Sequence, residues 1–550
     1  MPAMRWLPVL LVLAGGCGVF SSEDSPTTPG PDAGGNGDAG ADGPMSVGGP
    51  AAPLFALGPV TMTTSVVHGT TAKVAISITR EIGFTDPVQI TTKNLRDGIT
   101  SAPLAITTDR GDLEITVPAA AAPGAADGVI EATGGGVTRT TPFSLLVRGK
   151  PGEVDTSYGA KGYASGIFGA PASSQADPFD AKLAADDSVY VLGHQGGLVV
   201  AAHVLADGTL DKSYGTAGVA NIGVNLARAA ALQPDGKLVI VGGDSSGISI
   251  GRLDATGHPD ATFGGATGTA TLVPTAAIGG LCAGAYAVAV RNDGDIMVGF
   301  DNPVATLGGA NRVAVARVTP AGALRTTFGA MGAARFAVGY LTAMTTRDTP
   351  GTASNGNVVV IWADQTPDPD VLGIYQANGD NAGTDTSFGG AKTVPVPVAE
   401  RALNQRGAGL VTLPDQSIVA AVAGESGTAA MYLRKYDTSG NGVSGFGAAG
   451  LAGPFSPGSG SALGPLAIAA QSDGKILVAV ARLDGSLQPA GQDAIRFTAT
   501  GTVDTSFGQQ GHVMNTVGDA DVVLVQKSGR ILLVGSGMPN SDVMVGGYWP

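Results

Sequence analysis

The sequence is poor in cysteine, in charge and in aromatic residues, and each shortage excludes a class of protein. Its two cysteines, Cys17 and Cys282, cannot form the disulfide framework of a small secreted domain. Charged residues make up only 14% of the chain, the formal net charge is -14, and no segment is rich in Lys or Arg. Because nucleic acids are bound by clustered basic residues, we expect no nucleic-acid partner. Cys282 is predicted to be a small, buried apolar residue.

Glycine and short apolar runs are abundant instead. The chain has 86 glycines without a Gly-X-Y period, which excludes collagen. They separate alternating or continuous apolar segments, a pattern typical of many short strands joined by glycine turns. A length of 550 residues allows two or three domains with cores of their own. The sequence therefore predicts an all-β protein of more than one domain.

The N-terminal segment "MPAMRWLPVLLVLAGGC" has one basic residue, Arg5, followed by a short apolar stretch. That stretch is too short to cross a bilayer as a helix but suits the core of a signal peptide. Its end, "LAGGC", resembles the lipobox of bacterial lipoproteins, with Ala14 at the place usually taken by leucine. The resemblance makes residues 1–17 a lipoprotein signal peptide and Cys17 the lipid attachment site. An ordinary secretory signal with a chance cysteine is the alternative.

Residues 18–52 are predicted to be a disordered acidic linker rich in Gly, Pro, Ala and Asp. Within them, residues 21–50 hold five acidic residues and no Lys or Arg. Such a segment cannot bury enough apolar surface to fold. It would tether a folded domain to a lipid surface. By resemblance to lipoproteins, Gly18 after the cysteine favours the outer membrane, with the protein facing either the periplasm or the cell surface.

Residues 53–148 alternate with a period of two, as in "KVAISIT", "LEITV" and "FSLLV". Short alternating strands between turn signals predict a β-sandwich. Its architecture resembles the immunoglobulin-like domains of secreted bacterial proteins, although the Cys…Trp…Cys signature is absent. We expect it to act as a spacer or a docking module. The following "RGKPG", residues 148–152, is interpreted as a hinge.

One phrase, an aromatic residue followed by glycine in a D-T-S-like context, occurs seven times between residues 149 and 550. Five copies keep the Asp, and the spacing between the aromatic residues is 49 to 65 residues. The aromatic residues are Tyr158, Tyr214, Phe263, Phe328, Phe388, Phe446 and Phe507. A second phrase, a turn such as "PDGK" followed by an apolar strand, also occurs seven times.

Seven copies of a unit with several short strands predict a seven-bladed β-propeller over residues 149–550. The aromatic residue of each phrase is expected to lie between blades, and the glycine after it to have a positive φ. The chain ends on a strand that precedes the phrase in other copies, whereas the first phrase has no strands before it. Residues 152–162 are therefore predicted to pair with the C-terminal blade and close the ring.

These units, with "DG", an apolar strand and "G-x-x-D-T-S-F-G", resemble the delta-60 repeat family of bacterial β-propeller proteins. The resemblance is strong around Phe388 and Phe507 and weaker around Phe328 and Phe446, where Arg325 and Val443 replace the Asp. It implies the fold and a cell-surface or secreted setting. The family has no settled activity, so it implies no catalytic residue.

Candidate chemistry is sparse. The five histidines, which are His68, His194, His203, His258 and His512, lack close metal-ligand spacing. His194 and His203 belong to one predicted blade and are expected at surfaces or turns. The aspartates of the repeated phrase are expected to cap turns. The loop "DTSGNG", residues 437–442, either begins a calcium site or is a plain glycine turn. We therefore assign no catalytic, cofactor-binding or metal-binding residue, and calcium is the one cofactor left open.

The predicted function is that of a surface-anchored lipoprotein. Its propeller would serve as a binding or scaffold module for a protein or glycan partner. The chain would be a monomer held at the membrane through its lipid anchor alone. The alternative is a hydrolase or lyase that acts on a polysaccharide at the channel face of the propeller. Carboxylates, His or Tyr clustered at the channel would favour the enzyme, and a channel lined by Gly, Ala and Val would count against it.

Overall fold

The computed structural model describes residues 54–58, 63–169, 176–274, 278–282, 284–303, 312–347, 357–363, 372–377, 381–383, 388, 394–396, 408–424, 430–455, 462–483, 489–514, 520–537 and 542–550. The predicted signal peptide with Cys17 and the predicted linker at 18–52 lie outside these residues. None of the helical structure within the described ranges is long and apolar enough to span a membrane.

The N-terminal part folds into two β-sheets that share one core. Their strands are β1 (Phe55–Leu57), β2 (Thr63–Val67), β3 (Thr71–Arg80), β4 (Val88–Lys93), β5 (Thr100–Ser101), β6 (Leu104–Ile106), β7 (Arg110–Thr116), β8 (Gly124–Gly134) and β9 (Val137–Arg148). One sheet has the order β1-β3-β7-β5 and the other β2-β9-β8-β4-β6, in which β2 runs parallel to β9. Val74, Ile76 and Ile78 alternate into the shared core, as the period of two predicts.

The rest of the described chain forms seven four-stranded antiparallel sheets. Sheet I comprises β11 (Ala176–Leu183), β12 (Val189–Gln195), β13 (Leu198–Val204) and β14 (Val219–Ile222). Sheet II comprises β15 (Ala229–Leu232), β16 (Leu238–Asp244), β17 (Gly247–Leu253) and β18 (Thr269–Leu272). Sheet III comprises β19 (Gly284–Val290), β20 (Ile296–Asp301), β21 (Arg312–Val318) and β22 (Ala333–Val338).

Sheet IV comprises β23 (Tyr340–Arg347), β24 (Asn357–Ala363), β25 (Leu372–Ala377) and β26 (Val394–Val396). Sheet V comprises β27 (Ala408–Thr412), β28 (Ile418–Gly424), β29 (Ala430–Tyr436) and β30 (Leu451–Phe455). Sheet VI comprises β31 (Ala462–Ala470), β32 (Ile476–Leu483), β33 (Pro489–Phe497) and β34 (His512–Met514). Sheet VII has the order β10-β37-β36-β35. Its strands are β10 (Tyr163–Ala164), β35 (Val522–Val525), β36 (Ile531–Gly537) and β37 (Asp542–Tyr548).

The second strand of each sheet follows the "PDGK"-type turn. In sheet II this turn is closed by hydrogen bonds between Gln233 and Lys237 and between Gly236 and Gln233, with φ of Gly236 at +81°. The strand after it, β16, is buried at every position except its last, and β20 is buried throughout. Both faces are covered because the sheets pack against one another, so these strands lack a polar face.

Neighbouring sheets contact one another in sequence order. The first strand of each sheet touches the first strand of the next, from β11 through β15, β19, β23, β27 and β31 to β35. The last of these, β35, in turn contacts β11. The first strands therefore lie innermost in a closed arrangement of sheets.

Sheet VII combines strands from distant parts of the chain. In the pairing of β10 with β37, Tyr163 lies opposite Gly546 and Ala164 opposite Val545. Val154 forms a further bridge to Tyr548. The segment interpreted as a hinge is hydrogen-bonded to the end of the last strand, because the Gly152 N–H donates to the Trp549 carbonyl at 2.9 Å.

Candidate functional site

The aromatic residues of the repeated phrase are buried between neighbouring sheets, as predicted. None of the seven is more than 1% exposed. Phe263, for example, packs with Val241 of sheet II and Val298 of sheet III. Burial of a large ring contributes strongly to stability, so this residue of the phrase holds adjacent sheets together.

The glycine after the aromatic residue has a positive φ in each described copy, from +52° to +62°. A Cβ on Gly508 would lie 2.1 Å from the carbonyl oxygen of His512, so the backbone leaves no room for a side chain. The N–H of this glycine donates to a turn of the next sheet. Gly264 donates to Ala321 at 3.1 Å, and Gly508 donates to Pro151 at 2.8 Å.

The aspartate of the phrase has two roles, of which sequence analysis found only the first. In sheet II, Oδ1 of Asp260 accepts hydrogen bonds from the backbone N–H of Thr262 at 2.9 Å and from its hydroxyl at 2.7 Å. This is the predicted turn cap. Oδ2 accepts from Nε of Arg252 at 2.7 Å. The Arg252 guanidinium is buried and lies 4.7 Å from the centroid of the Phe263 ring.

Sheet VI repeats this buried ion pair. Nε of Arg496 donates to Oδ2 of Asp504 at 3.0 Å, and the Arg496 guanidinium lies 4.4 Å from the centroid of the Phe507 ring. Nζ of Lys475, from the preceding turn, lies 3.4 Å from the same oxygen. In both sheets the arginine precedes the aspartate by eight residues. That spacing is the sequence signal that could have revealed the pair.

Sheet VII builds its ion pair from the two ends of the folded region. Nε of Arg530 donates to Oδ2 of Asp155 at 2.6 Å, and the Arg530 guanidinium lies 5.4 Å from the centroid of the Tyr158 ring. Asp155 is fully buried. Its other oxygen caps the turn at Ser157, with a distance of 3.0 Å to the backbone nitrogen.

Sheet III carries the same pair with the charges reversed. The turn position of Lys475 is occupied here by Asp295, and the position of the phrase aspartate by Arg325. The two side chains form an ion pair, in which Nε of Arg325 donates to Oδ2 of Asp295 at 2.9 Å. Arg317 keeps its place and donates to Asp295 at 2.7 Å. The weak match of this copy is therefore a compensated exchange rather than a loss.

Reversing this exchange tests the pairing. Asp295→Lys alone removes the carboxylate that accepts from both Arg317 and Arg325, although Arg317 keeps its contact with Asp293 at 2.9 Å. It is expected to lower the free energy of unfolding by about 3–5 kcal/mol. Adding Arg325→Asp recreates the arrangement of sheet VI and is expected to recover most of that loss. A double-mutant cycle in urea measures the coupling. Additive effects of the two substitutions would contradict the pairing.

His203 occupies the position of the arginine in sheet I, and the prediction of a surface or turn histidine was wrong for it. Its Nδ1 lies 2.9 Å from Oδ2 of Asp211, and its Nε2 lies 2.8 Å from Oγ of Ser188. Its ring stacks on Tyr190 with centroids 4.4 Å apart. The order Ser–His–Asp is that of a catalytic triad. However, Ser188 is 1% exposed and its hydroxyl donates to Asp186 at 2.6 Å, so the group is structural.

The ion pairs make stability depend on acid pH. Burial would raise the pKa of Asp260, but hydrogen bonds from Thr262 and the charges of Lys237 and Arg252 hold it well below its ordinary value. The pKa of Asp504 is lowered in the same way, against its burial. Carboxyls with a lowered pKa stabilise the fold above their unfolded value, about 3.9, and that contribution is lost as the pH falls through the folded value.

We therefore expect the free energy of unfolding to change little from neutral pH down to about pH 5 and to fall steadily below about pH 4. The urea midpoint measured against pH checks this. Asp260→Asn should lower stability at neutral pH and make the decline below pH 4 shallower. An unchanged slope in this variant would show that Asp260 is not among the groups responsible.

Two sequence motifs that suggest chemistry form turns instead. The string "GDSSG" at residues 243–247 has the spacing of a hydrolase nucleophile elbow, but it is the hairpin between β16 and β17. In the loop considered for calcium, Oδ1 of Asp437 accepts from the backbone N–H of Ser439 at 2.9 Å and of Asn441 at 2.8 Å. Over the described ranges, no three His, Cys, Asp or Glu side chains are placed to hold a metal ion.

The innermost strands are mostly apolar. Strands such as β15 (AAAL), β27 (AGLVT) and β35 (VVLV) carry no ionisable side chain. In β11, Asp180 pairs with Lys182 at 2.7 Å, and its other oxygen accepts from the backbone N–H of Ala230 at 2.7 Å. This carboxylate therefore joins two sheets.

A cavity of about 270 Å³ lies where the N-terminal sheets meet sheet VII. Its walls are formed by Ser65, Leu146, Arg148, Asp155, Ser157, Ser528, Arg530, Trp549 and Pro550. The Arg148 guanidinium lies 5.5 Å from the centroid of the Trp549 ring.

The junction between the N-terminal sheets and sheet VII is also held by His68, whose Nε2 lies 2.6 Å from Oε2 of Glu153. Burial tends to raise the pKa of Glu153, but the hydrogen bonds from His68 and the Lys150 backbone lower it below its usual value.

Three solved structures illustrate the structural likenesses of this chain. A quinoprotein alcohol dehydrogenase-like protein from Bacteroides thetaiotaomicron is 10% identical, with 83% of this chain and 95% of that chain covered and a TM-score of 0.33. Prolyl oligopeptidase B from Galerina marginata is 10% identical, with 66% and 47% covered and a TM-score of 0.36. A polysaccharide lyase, an ulvan lyase, is 10% identical, with 71% and 91% covered and a TM-score of 0.37.

No curated protein sequence matches this chain. One family matches two of its segments, residues 233–263 and 471–507, and is described as "Domain of unknown function (DUF5122) beta-propeller". Each segment starts at the "PDGK"-type turn and ends at the phrase aromatic, Phe263 or Phe507, and each contains a complete Arg–Asp pair. Two segments of this chain thus match the model of the DUF5122 β-propeller domain.

Proposed function

We propose that this chain is a surface-anchored lipoprotein whose seven-bladed propeller, joined to an immunoglobulin-like sandwich, serves as a binding module for a glycan or protein partner. The seven four-stranded sheets in cyclic contact support the blade number. The pairing of β10 with β37 supports a ring closed by residues from its N-terminal end. The two N-terminal sheets around one core support the sandwich.

One observation carries the choice of a binding module. The polar residues that recur from sheet to sheet are occupied in contacts that hold the propeller together, as Asp260 and Asp504 are by their arginines. A catalytic carboxylate needs access to substrate and freedom to change its protonation. The recurring chemistry therefore supports the architecture, and recognition is left to residues that differ between the repeats.

The test is a thermal unfolding series on the full chain with fragments of cell-wall polysaccharides and exopolysaccharides, each with and without calcium. A saturable rise in melting temperature with one glycan supports recognition, because a ligand that binds only the folded state stabilises it. Product analysis on that glycan then separates binding from hydrolysis or lyase activity. If no glycan shifts the melting temperature, a protein partner is sought from envelope extract.

Lipid attachment at Cys17 gives a separate prediction. The full chain, expressed in a Gram-negative host, is expected to fractionate with the outer membrane, since diacylation supplies the second chain that firm anchoring needs. Cys17→Ser should release it into the soluble fraction. Cys282→Ser is the matched control, because Cys282 is buried and free. Membrane association of Cys17→Ser would contradict the anchor.

A further inference from the structure

We propose that the cavity between the N-terminal sheets and sheet VII binds the carboxylate of an acidic sugar residue, a uronate. The inference rests on the proposed function and specifies the ligand class for that module. It is carried by four features of the cavity: an unpaired guanidinium, a second guanidinium that is fixed in place, a surplus of positive charge and a wall of hydroxyl groups.

Arg148 supplies the unpaired guanidinium. It lies at the end of β9, lines the cavity and is only partly exposed. Its guanidinium rests on the Trp549 ring, and no hydrogen-bond acceptor or carboxylate among the described residues pairs with it. A guanidinium has five N–H donors in a planar fork that matches a carboxylate in two parallel hydrogen bonds. Stacking on the indole holds this fork in position.

Arg530 provides the second guanidinium on a rigid support. Nε donates to Asp155 at 2.6 Å, and Nη1 donates to the Ala206 carbonyl at 3.2 Å and to Gln526 at 3.1 Å. Nη2 donates to Oγ of Ser157 at 3.3 Å, which leaves this nitrogen one further N–H. The side chain is thus preorganised, so a ligand need not order it on binding.

The charges favour a monoanion. Arg148 and Arg530 line the cavity with one acidic side chain, Asp155, which already accepts from Arg530 and Ser157. Glu153 nearby is paired with His68. The side chains that line the cavity therefore carry one net positive charge, which a carboxylate balances. A dianionic phosphate would bring a second negative charge close to Asp155.

The size and the remaining walls favour a sugar acid. The hydroxyls of Ser65 and Ser528 can bond to ligand hydroxyls, while Leu146 and Pro550 give apolar surface. The cavity lies just below the usual range of ligand sites, about 300–1,000 Å³. It therefore suits one sugar residue rather than a length of chain.

The test is calorimetric titration of the full chain with D-glucuronate, with neutral D-glucose as the ligand control. Arg148→Gln is expected to weaken glucuronate binding about tenfold or more, because it removes the charged donors. Arg110→Gln is the matched control, as it removes one exposed arginine of the N-terminal sheets away from the cavity. Ser65→Trp fills the cavity from an exposed position and should abolish binding with both arginines intact.

The outcomes separate the pocket from the wider function. Saturable glucuronate binding that Arg148→Gln and Ser65→Trp reduce and Arg110→Gln preserves supports the site. If a uronate-containing oligosaccharide binds only to those variants that also bind free glucuronate, the polymer is identified as the source of the sugar. No glucuronate binding, or binding indifferent to Arg148→Gln, overturns the pocket. A glycan response that persists in both cavity variants would then place recognition elsewhere and leave the proposed function standing.

Discussion

Asp504→Ala is expected to lower the free energy of unfolding by about 3–5 kcal/mol, the cost of breaking a buried ion pair from one side. Arg496 is 1% exposed, so its guanidinium cannot turn to water when the carboxylate is removed. Burial lowers the pKa of Arg496, and the charge of Asp504 opposes that shift. Lys475 loses the same partner. Urea unfolding of the full chain measures the effect.

Asp473→Ala is the matched control for this variant. Asp473 pairs with the same Lys475 at 3.4 Å, but its side chain is 53% exposed. Exposed ion pairs contribute at most about 1 kcal/mol, so the free energy of unfolding of the control should remain close to that of the unsubstituted protein. If both variants lost the same small amount, the contact between Asp504 and Arg496 would not be a determinant of stability.

Deletion of residues 152–168 is expected to destabilise the whole propeller and not sheet VII alone. The deleted segment contains β10 and Asp155. Its removal also breaks two backbone hydrogen bonds to the last strand: the Asp155 N–H donates to the Gly547 carbonyl at 2.8 Å, and the Gly547 N–H donates to the Gly162 carbonyl at 2.9 Å. Without them, β37 becomes an unpaired edge and Arg530 loses its carboxylate. Because each sheet packs on its two neighbours, the loss spreads from sheet to sheet.

The measurement is the thermal unfolding of the propeller, followed by a probe of β-structure and by a probe of the buried aromatic rings. We expect both signals to shift together to a much lower temperature. Deletion of residues 25–41, which has the same length and lies in the predicted linker, is the control and should leave the transition in place. An unchanged transition after deletion of residues 152–168 would rule out closure by this segment.

The sequence predicted those parts of the repeat that depend on local geometry. The burial of Phe263 and the positive φ of Gly264 follow from the phrase itself, because a large apolar ring and a residue without Cβ each suit one environment. The cap made by Asp260 is equally local, since its partner is two residues away. Pairing of the chain ends followed from counting repeat units.

Contacts between separate strands were harder to predict. The partner of Asp260 is Arg252, on the strand before the turn, and a single copy gives no reason to connect them. The residue type of His203 favours a surface or a turn, whereas its place in the repeat, eight residues before Asp211, is that of the buried arginine. The cavity joins Arg148 with Arg530 and Trp549, far apart in sequence, and no local pattern brings them together.

Sheet VII also sets the order in which the chain can fold. Asp155 and Arg530 are separated by 375 residues, so their contact forms only after nearly the whole propeller has been synthesised. Until then β10 has no partner, and its unpaired edge can pair with another chain. Closing so long a loop is slow. The chain would therefore reach its folded state late, and the pairing of β10 with β37 would end its exposure to aggregation.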